Sequence, residues 1–501
     1  MNIYILIILA YLAALTVMNF SKSRKIKDRD DMMLAGRSIS ITKMVFTLIC
    51  TWIGSGTFIA GAEFAAKAGW SALWQPMGAW AGIIIIYFLA AKIRTFGQYT
   101  VGDILEVRYG SVARIFGAIA IIISFTVIVS YQFKAGGYIL NAISDGAIST
   151  EQGMFMAFLF VTIFTAIGGM IAVANTDLPN GIIILTSTII STPLVMMAAG
   201  SWSHIRAILP DSHFQVISTA FGGTPILKIP AIGLSGFLLL LGVQSMYQKF
   251  YSARTPAQAR RAAGFWVFGT MIVESVVIVM AVYASAYFWT DLQNGTMDHA
   301  AVIVQAAKKM IPLPVGVLLL GAATAVVIST GMNYLLSPTT TITHDFYLRF
   351  MRKKTEKTEA SEKSMVLLQK VLIVILGIVA FTIAWKMESV LESAYFAYTI
   401  YGVAITPALL AALISKRVTR TAGLVSIISG TLITIFLKLA GYIWPHIMVP
   451  MGNPNGDPYG IPIIYPALFV SVFSLLILSF FTKKPSPEVL ARFFPEKKTS
   501  S

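Results

Sequence analysis

The sequence predicts an all-α polytopic membrane protein of about 13 transmembrane helices, with a core of two five-helix repeats of opposite topology, one helix before it and two after it. Three observations carry that prediction. The chain has 501 residues, of which 56% are hydrophobic and only 12% charged, and its mean hydropathy is +0.76; water-soluble domains average about 25% charged residues. Apolar runs long enough to cross a bilayer, which takes about 20 residues, recur along almost the whole chain. The formal net charge of +16 is scattered in short clusters between those runs. Such clusters orient membrane segments, whereas a nucleic-acid binder gathers its cations on one soluble face. The expected surroundings are therefore a lipid bilayer, with no nucleic-acid partner. A single cysteine, Cys50, excludes a disulfide framework, and the five histidines show no spacing of a zinc-type site.

The expected spans are 2–20, 39–66, 70–91, 115–142, 152–173, 178–200, 230–250, 264–289, 314–345, 365–385, 391–414, 421–443 and 461–482. The first has its charges after the apolar run and no basic segment before it, so it reads as a retained helix and not a cleaved signal. The second is interrupted by Gly54-Ser55-Gly56. Two readings are open: a close helix crossing that needs small residues, or an unwound hinge whose freed carbonyls coordinate a cation. Glu63 in its outer half and Lys134 in the outer half of the fourth span could pair, line a vestibule or meet a charged solute; a structural or vestibular role is expected. Asp177 opens the sixth span, either as a helix N-cap facing cytoplasmic water or as a cation ligand or relay deeper in the bundle. The seventh span, with Gly236, Gly242, Gln244 and Lys249, is again irregular. Glu274, in the first half of the eighth, is expected to find a hydrogen-bond partner inside the bundle. On the ninth, Val326, Ser329 and Thr330 lie within one helical turn. A carbonyl and two hydroxyls can converge there on a small hard cation, or the hydroxyls can bond back to their own helix. The remaining spans are plain apolar helices.

The loops 21–33, 92–114, 248–261, 346–364 and 415–420 and the tail from 483 hold roughly 27 of the 38 Lys and Arg, against about six on the other side. That side is expected to be cytoplasmic, with the N-terminus outside and the C-terminus inside. The interrupted spans open two stretches of five, 39–200 and 230–414, and five being odd the second starts on the opposite face. This is the arithmetic of an inverted-topology repeat. The expected divisions are a first helix and loop (1–38), the first repeat (39–200), an extracytoplasmic loop (201–229), the second repeat (230–414), two further helices (415–482) and a cytoplasmic tail (483–501).

Several stretches resemble the sodium:solute symporter family, whose members include proline, pantothenate, sialic acid, sodium/glucose and choline transporters. They are Leu34 to Ser38, Ile167-Gly168-Gly169 through to Asp177, Gln244 to Lys249, and Ser329-Thr330 followed by Ile342 to Tyr347. The resemblance spans nearly the whole chain in order and implies a LeuT-like fold. It implies a sodium ion between the second and ninth spans, held by the carbonyls of Cys50, Ile53 and Val326 and the hydroxyls of Ser329 and Thr330. Some members hold a second sodium with the aspartate at Asp177 and hydroxyls one turn beyond the pair. Met332 and Asn333 stand there in this chain, so one sodium per solute is expected, with Asp177, and Asn333 beside it, as a possible second-ion or relay position.

The solute pocket implied by the resemblance is lined by Trp52, Ser55, Gln132, Gly236, Leu239 and Thr399. So few hydrogen-bonding side chains would leave a sugar's hydroxyls unpaired. A compact amino acid such as proline, pantothenate or a small carboxylate fits better. The run Thr51 to Gly56 also resembles the choline-transporting branch, where aromatic rings hold a quaternary ammonium. A tryptophan expected in that branch is replaced by Val243, and choline stays as the alternative. Trp52 reads equally well as core packing. The expected function is sodium-coupled import of a small organic solute by a multi-pass protein of the plasma (inner) membrane, and not an enzyme: no phosphate-binding loop or nucleophile-base arrangement is present. A transporter-like solute sensor would carry an output domain, and proton coupling would use Asp177.

Overall fold

A computed structural model describes residues 3–23, 33–34, 37–96, 99–221, 224–351, 359–444 and 461–494. Their regular structure is helical, apart from one isolated bridge between Ile39 and Ala253. Among the described residues, eleven helices are long and apolar enough to cross a bilayer, or up to 12 if the pair Val390–Ala404 and Thr406–Ile414, bent by 40°, forms one span. A helix lies at each of the segments expected from the sequence. The count differs because the second span is broken. A short helix, Ile41–Trp52, gives way to a π turn at Gly56–Ala60 and a helix Gly61–Ala68, which runs through a 3-10 turn, Gly69–Leu73, into Trp74–Phe96.

The break follows from local chemistry. Ile53 leaves the helical region at φ −71°, ψ 93°, and a Cβ on Gly54 would lie 2.8 Å from the Thr330 side chain. Only glycine lets the ninth span, Leu313–Thr341, approach so closely. The seventh span breaks likewise. Pro225–Gly242 ends at an extended Val243 and resumes as Gln244–Tyr251, and a Cβ on Gly242 would lie 2.5 Å from Thr406 Oγ1. Both interrupted helices thus open their five-span stretches, as the expected repeat requires.

Two expectations need correction. The fifth and sixth spans form one helical stretch, Thr150–Ala199, interrupted at Gly169 (φ 51°, ψ −158°), several residues before the expected gap. Asp177 therefore sits inside the sixth helix and is fully buried; it is not an N-cap facing water, because a cap precedes the first helical turn. Glu63 takes hydrogen bonds from Lys67 at 2.7 Å, Ser389 Oγ at 2.8 Å and the Leu391 amide at 3.1 Å. Its cation is thus the one a helical turn away and not Lys134. The basic residues Arg24 to Arg29 and Arg352 to Lys357, much of the orienting charge, lie outside the described residues, as does Gly36.

At the end of the bundle bearing the helix Val101–Tyr109, Arg114 pairs with Asp103, with Glu106 at 2.7 Å and with Asp345 at 3.4 Å. Asp103, His344 and Asp345 offer ligand atoms within 4.8 Å of one another. Arg114 already supplies their positive charge, so the cluster reads as an ion-pair network. Gln244 reaches across from the break in the seventh span. It accepts from the Val101 amide at 3.1 Å and donates to Thr341 Oγ1 at 2.6 Å.

Small residues set the helix crossings. A Cβ on Gly78 would lie 1.8 Å from the Gly233 carbonyl oxygen, so the third and seventh spans touch backbone to backbone. Gly78→Ala is expected to destabilise the bundle by about 1–3 kcal/mol through overpacking, seen as a lower temperature at which detergent-solubilised protein loses its monodisperse peak. Gly321→Ala, whose Cβ would meet nothing within 4 Å, is the control and should leave that temperature unchanged.

Candidate functional site

With its helix interrupted at Ile53, the second span frees carbonyls that water cannot reach at membrane depth, and the ninth span answers them. Thr330 Oγ1 donates to the Cys50 carbonyl at 3.0 Å and approaches the Ile53 carbonyl at 3.3 Å. Ser329 Oγ lies 3.5 Å from the Cys50 carbonyl. Four of the five oxygens expected to hold sodium are thereby brought together. Val326, the fifth, lies one turn earlier on the same helix and is fully buried. Oxygens about 2.3–2.6 Å from a shared hard cation stand about 3.2–3.7 Å apart, so this spacing fits a common ion with little movement.

Behind the hydroxyl pair stands Asp177. Ser329 Oγ donates to its Oδ1 at 2.5 Å, Thr47 donates to Oδ2, and Asn333 Nδ2 approaches Oδ2 at 3.4 Å. A serine hydroxyl has one proton and two lone pairs. With the proton held by Asp177, the lone pairs are left to face the carbonyl cluster. Asn333 also accepts a hydrogen bond from Lys249, whose ammonium is buried and acts electrostatically on Asp177. Lys249 belongs to a sequence motif, but its contact with Asn333 spans 84 positions and has no local signature. Thr47 was likewise invisible.

The other side of the break is polar and aromatic. Ser55 donates to Gln132 Oε1 through its amide at 3.2 Å and its hydroxyl at 2.8 Å. Gln75 Nε2 donates to the Gly56 carbonyl at 3.1 Å. The Trp52 ring lies 6.0 Å from that of Tyr398, whose hydroxyl is 3.3 Å from the Tyr131 hydroxyl and abuts Gly56. Gln132 Nε2 and Thr399 Oγ1 are buried without a hydrogen-bond partner among the described residues. Trp52, Ser55, Gln132 and Thr399 therefore belong to segments that meet around the break. Gly236 lies at a helix crossing, with the Gln75 carbonyl oxygen 3.3 Å from where its Cβ would be, and Leu239 is fully buried with its amide against Gly402.

Glu274 was expected to find a partner inside the bundle, and it finds three. Oε1 accepts from the Trp52 indole at 2.8 Å and Thr57 Oγ1 at 3.4 Å, and Oε2 from the Trp80 indole at 2.7 Å. The eighth helix starts earlier than expected, at Pro256, which puts Glu274 past its midpoint. Trp52 is thus more than core packing, since its polar edge is aimed at a carboxylate.

The model of the sodium:solute symporter family matches residues 32–430. The high-affinity proline transporter PutP of Bacillus subtilis is 25% identical over 492 residues, covering 94% of this chain and 96% of its own. A sodium/proline symporter of Staphylococcus aureus is 26% identical over 498 residues, covering 96% and 93%. Among solved structures, a Na+-coupled sialic acid symporter in a substrate-bound outward-open state superposes with a TM-score of 0.77 at 14% identity, covering 97% of this chain and 99% of that one. The transporter MhsT in complex with L-phenylalanine gives 0.51 at 14% identity, covering 88% and 97%. These likenesses show a shared LeuT-type fold, and with the family match over most of its length the chain belongs to the sodium:solute symporter family.

Proposed function

We propose that this protein imports a small organic solute with one sodium ion by alternating access, and that Cys50, Ile53, Val326, Ser329 and Thr330 hold the ion. The observation that carries this reading is the reach of the two ninth-span hydroxyls to the carbonyls freed at the break in the second span. Sodium bound there would fix the second span against the ninth and so steady Ser55, Trp52 and the pocket around them. A bundle rocking about that joint would open inward, and sodium would leave into a low-sodium cytoplasm. One cation moving down about 100 mV yields roughly 2.3 kcal/mol, and a tenfold gradient adds about 1.4. The total would sustain an accumulation of several hundredfold. The charge distribution supports a cytoplasmic C-terminus; with that orientation the Arg114 network would lie toward the inner face and the Glu63 contacts with Ser389 and Leu391 toward the outer.

Proline is the first solute to test, since the curated relatives named above are proline transporters and the pocket offers few hydrogen-bonding groups. A quaternary amine such as choline is the second reading, favoured by the Trp52–Tyr398 pair. One sodium per solute fits Met332 and Asn333, because a thioether is a poor ligand for a hard cation and the Asn333 carbonyl oxygen already accepts from Lys249.

In proteoliposomes, Ser329→Ala and Thr330→Ala are each expected to raise the sodium concentration for half-maximal proline uptake by at least about tenfold, or roughly 1.4 kcal/mol. Uptake by the parent protein that ignores sodium would sink the reading. Asp177→Asn should weaken sodium dependence and also lower the yield of folded protein, because it leaves the buried Lys249 ammonium without its balancing charge, a change that costs about 3–5 kcal/mol in comparable cases. The double variant Asp177→Asn with Lys249→Met is expected to recover yield without recovering sodium dependence, read by size-exclusion chromatography and uptake side by side.

A further inference from the structure

Five carboxylates are buried among the described residues: Glu63, Asp103, Asp177, Glu274 and Asp345. Four face a cation of the chain itself. Glu63 has Lys67, Asp103 and Asp345 share Arg114, and Asp177 is joined to Lys249 through Asn333. Glu274 differs. The groups that reach it, the Trp52 and Trp80 indoles and the Thr57 hydroxyl, are neutral donors, and no described Lys, Arg or His forms an ion pair with it. A carboxylate at this depth without a counter-charge is costly, and such a group in a membrane protein calls for a partner.

Its position says where that partner comes from. Trp52 is the last helical residue before the break and Thr57 lies in the π turn after it, so the carboxylate brackets the segment around which the solute pocket forms. Beside it stand the Trp52 and Tyr398 rings, 6.0 Å apart and tilted by 32°. Aromatic faces next to a buried carboxylate form a setting that attracts a positively charged nitrogen. Across the break, Gln132 Nε2 and Thr399 Oγ1, both buried and without partners among the described residues, are donors suited to the carboxylate end of a zwitterion.

We propose that Glu274 is the counter-charge for a positively charged nitrogen carried by the solute, and so selects amino-acid zwitterions or quaternary amines over plain carboxylates and sugars. This rests on the transport reading above and narrows its substrate class. Glu274 acts as a specificity determinant, with Trp52 oriented by the hydrogen bond to its Oε1. The sodium ligands of the ninth span are a separate set, so a change at Glu274 leaves the proposed ion ligands themselves in place.

The test uses the full chain in proteoliposomes under a sodium gradient, with radiolabelled L-proline and choline as probes and cyclopentanecarboxylate, the proline skeleton without its nitrogen, as competitor. Cyclopentanecarboxylate is expected to compete at least about tenfold more weakly than unlabelled proline. Glu274→Gln should raise the half-saturating concentration of the transported probe by about ten- to thirtyfold, with half-saturating sodium, measured at saturating solute, changed less than about twofold. Glu274→Asp, which keeps the charge, should recover part of the loss. Size-exclusion profiles certify that each variant is folded, and tryptophan fluorescence titrations in detergent read the same solute preference without a gradient. The proposal is overturned if Glu274→Gln keeps the parental solute affinity, whether or not its pH or sodium dependence changes, since the carboxylate would then serve a proton, an ion or packing. It is also overturned if cyclopentanecarboxylate or pantothenate binds as well as proline and choline. Solute binding that shows this preference while uptake ignores sodium would instead overturn the coupling reading and leave Glu274 in its assigned role.

Discussion

The structure depends on one constraint: a helix broken inside a bilayer must have its freed backbone groups satisfied by protein, because no water is there to do it. In the second span the debt falls on residues 50 to 56, and side chains of three other helices meet several of its groups. Thr330 meets the Cys50 and Ile53 carbonyls, Gln132 meets the Ser55 amide, and Gln75 adds a donor to the Gly56 carbonyl, which also accepts from the Gly61 amide. Two of these three, Thr330 and Gln132, are also residues proposed to hold ion and solute. Site and scaffold therefore share hydrogen bonds. That is why Gly54 must lack a side chain: a Cβ there would push Thr330 away from the carbonyls it serves.

The economy of charge follows from the same setting. A cation held by carbonyls and hydroxyls meets neutral ligands, which compete with hydration without trapping the ion. Asp177 sits one bond further out and fixes the direction of the Ser329 proton. Its own charge is balanced by Lys249 through Asn333, so the bundle holds no bare carboxylate here whether or not a cation occupies the proposed site. If sodium binds at the proposed site, its protein ligands are neutral, and a site that is to bind and release within one cycle needs binding firm enough to enter and weak enough to leave.

Much of this was legible in the sequence because it is local. Hydropathy runs located the helices, Gly54-Ser55-Gly56 and Gly242 marked the breaks, and Ser329-Thr330 lay one residue apart on a face. What escaped depends on distance in the chain. Asp177 at a span boundary looked like a cap because the break two turns earlier comes from a left-handed Gly169, and Gly168-Gly169 read only as a family signature. Thr47 meets Asp177 across 130 positions and Trp52 meets Glu274 across 222, and single residues on plain helices carry no sign of such meetings. Hydropathy sets Lys134 and Glu63 at similar depth, yet Glu63 pairs with a lysine one turn along its own helix. Depth from hydropathy is not rotation about the helix axis, and rotation decides partners.

Coupling between the proposed ion and solute sites would run through the short segment from Cys50 to Thr57. Its carbonyls at Cys50 and Ile53 face the hydroxyl pair, while Trp52, Ser55 and Thr57 point to Glu274 and Gln132. Alternate groups of one unwound stretch thus serve opposite neighbours, so an ion that orders the carbonyls also orders the side chains between them. Linkage makes the effect reciprocal: whatever free energy sodium contributes to solute binding, the solute returns to sodium. A regular helix could not do this, because its carbonyls are committed to its own amides and respond to nothing outside. The interruption is what frees these carbonyls to answer to the ninth span, and the two hydroxyls there are where the proposed ion would act on them.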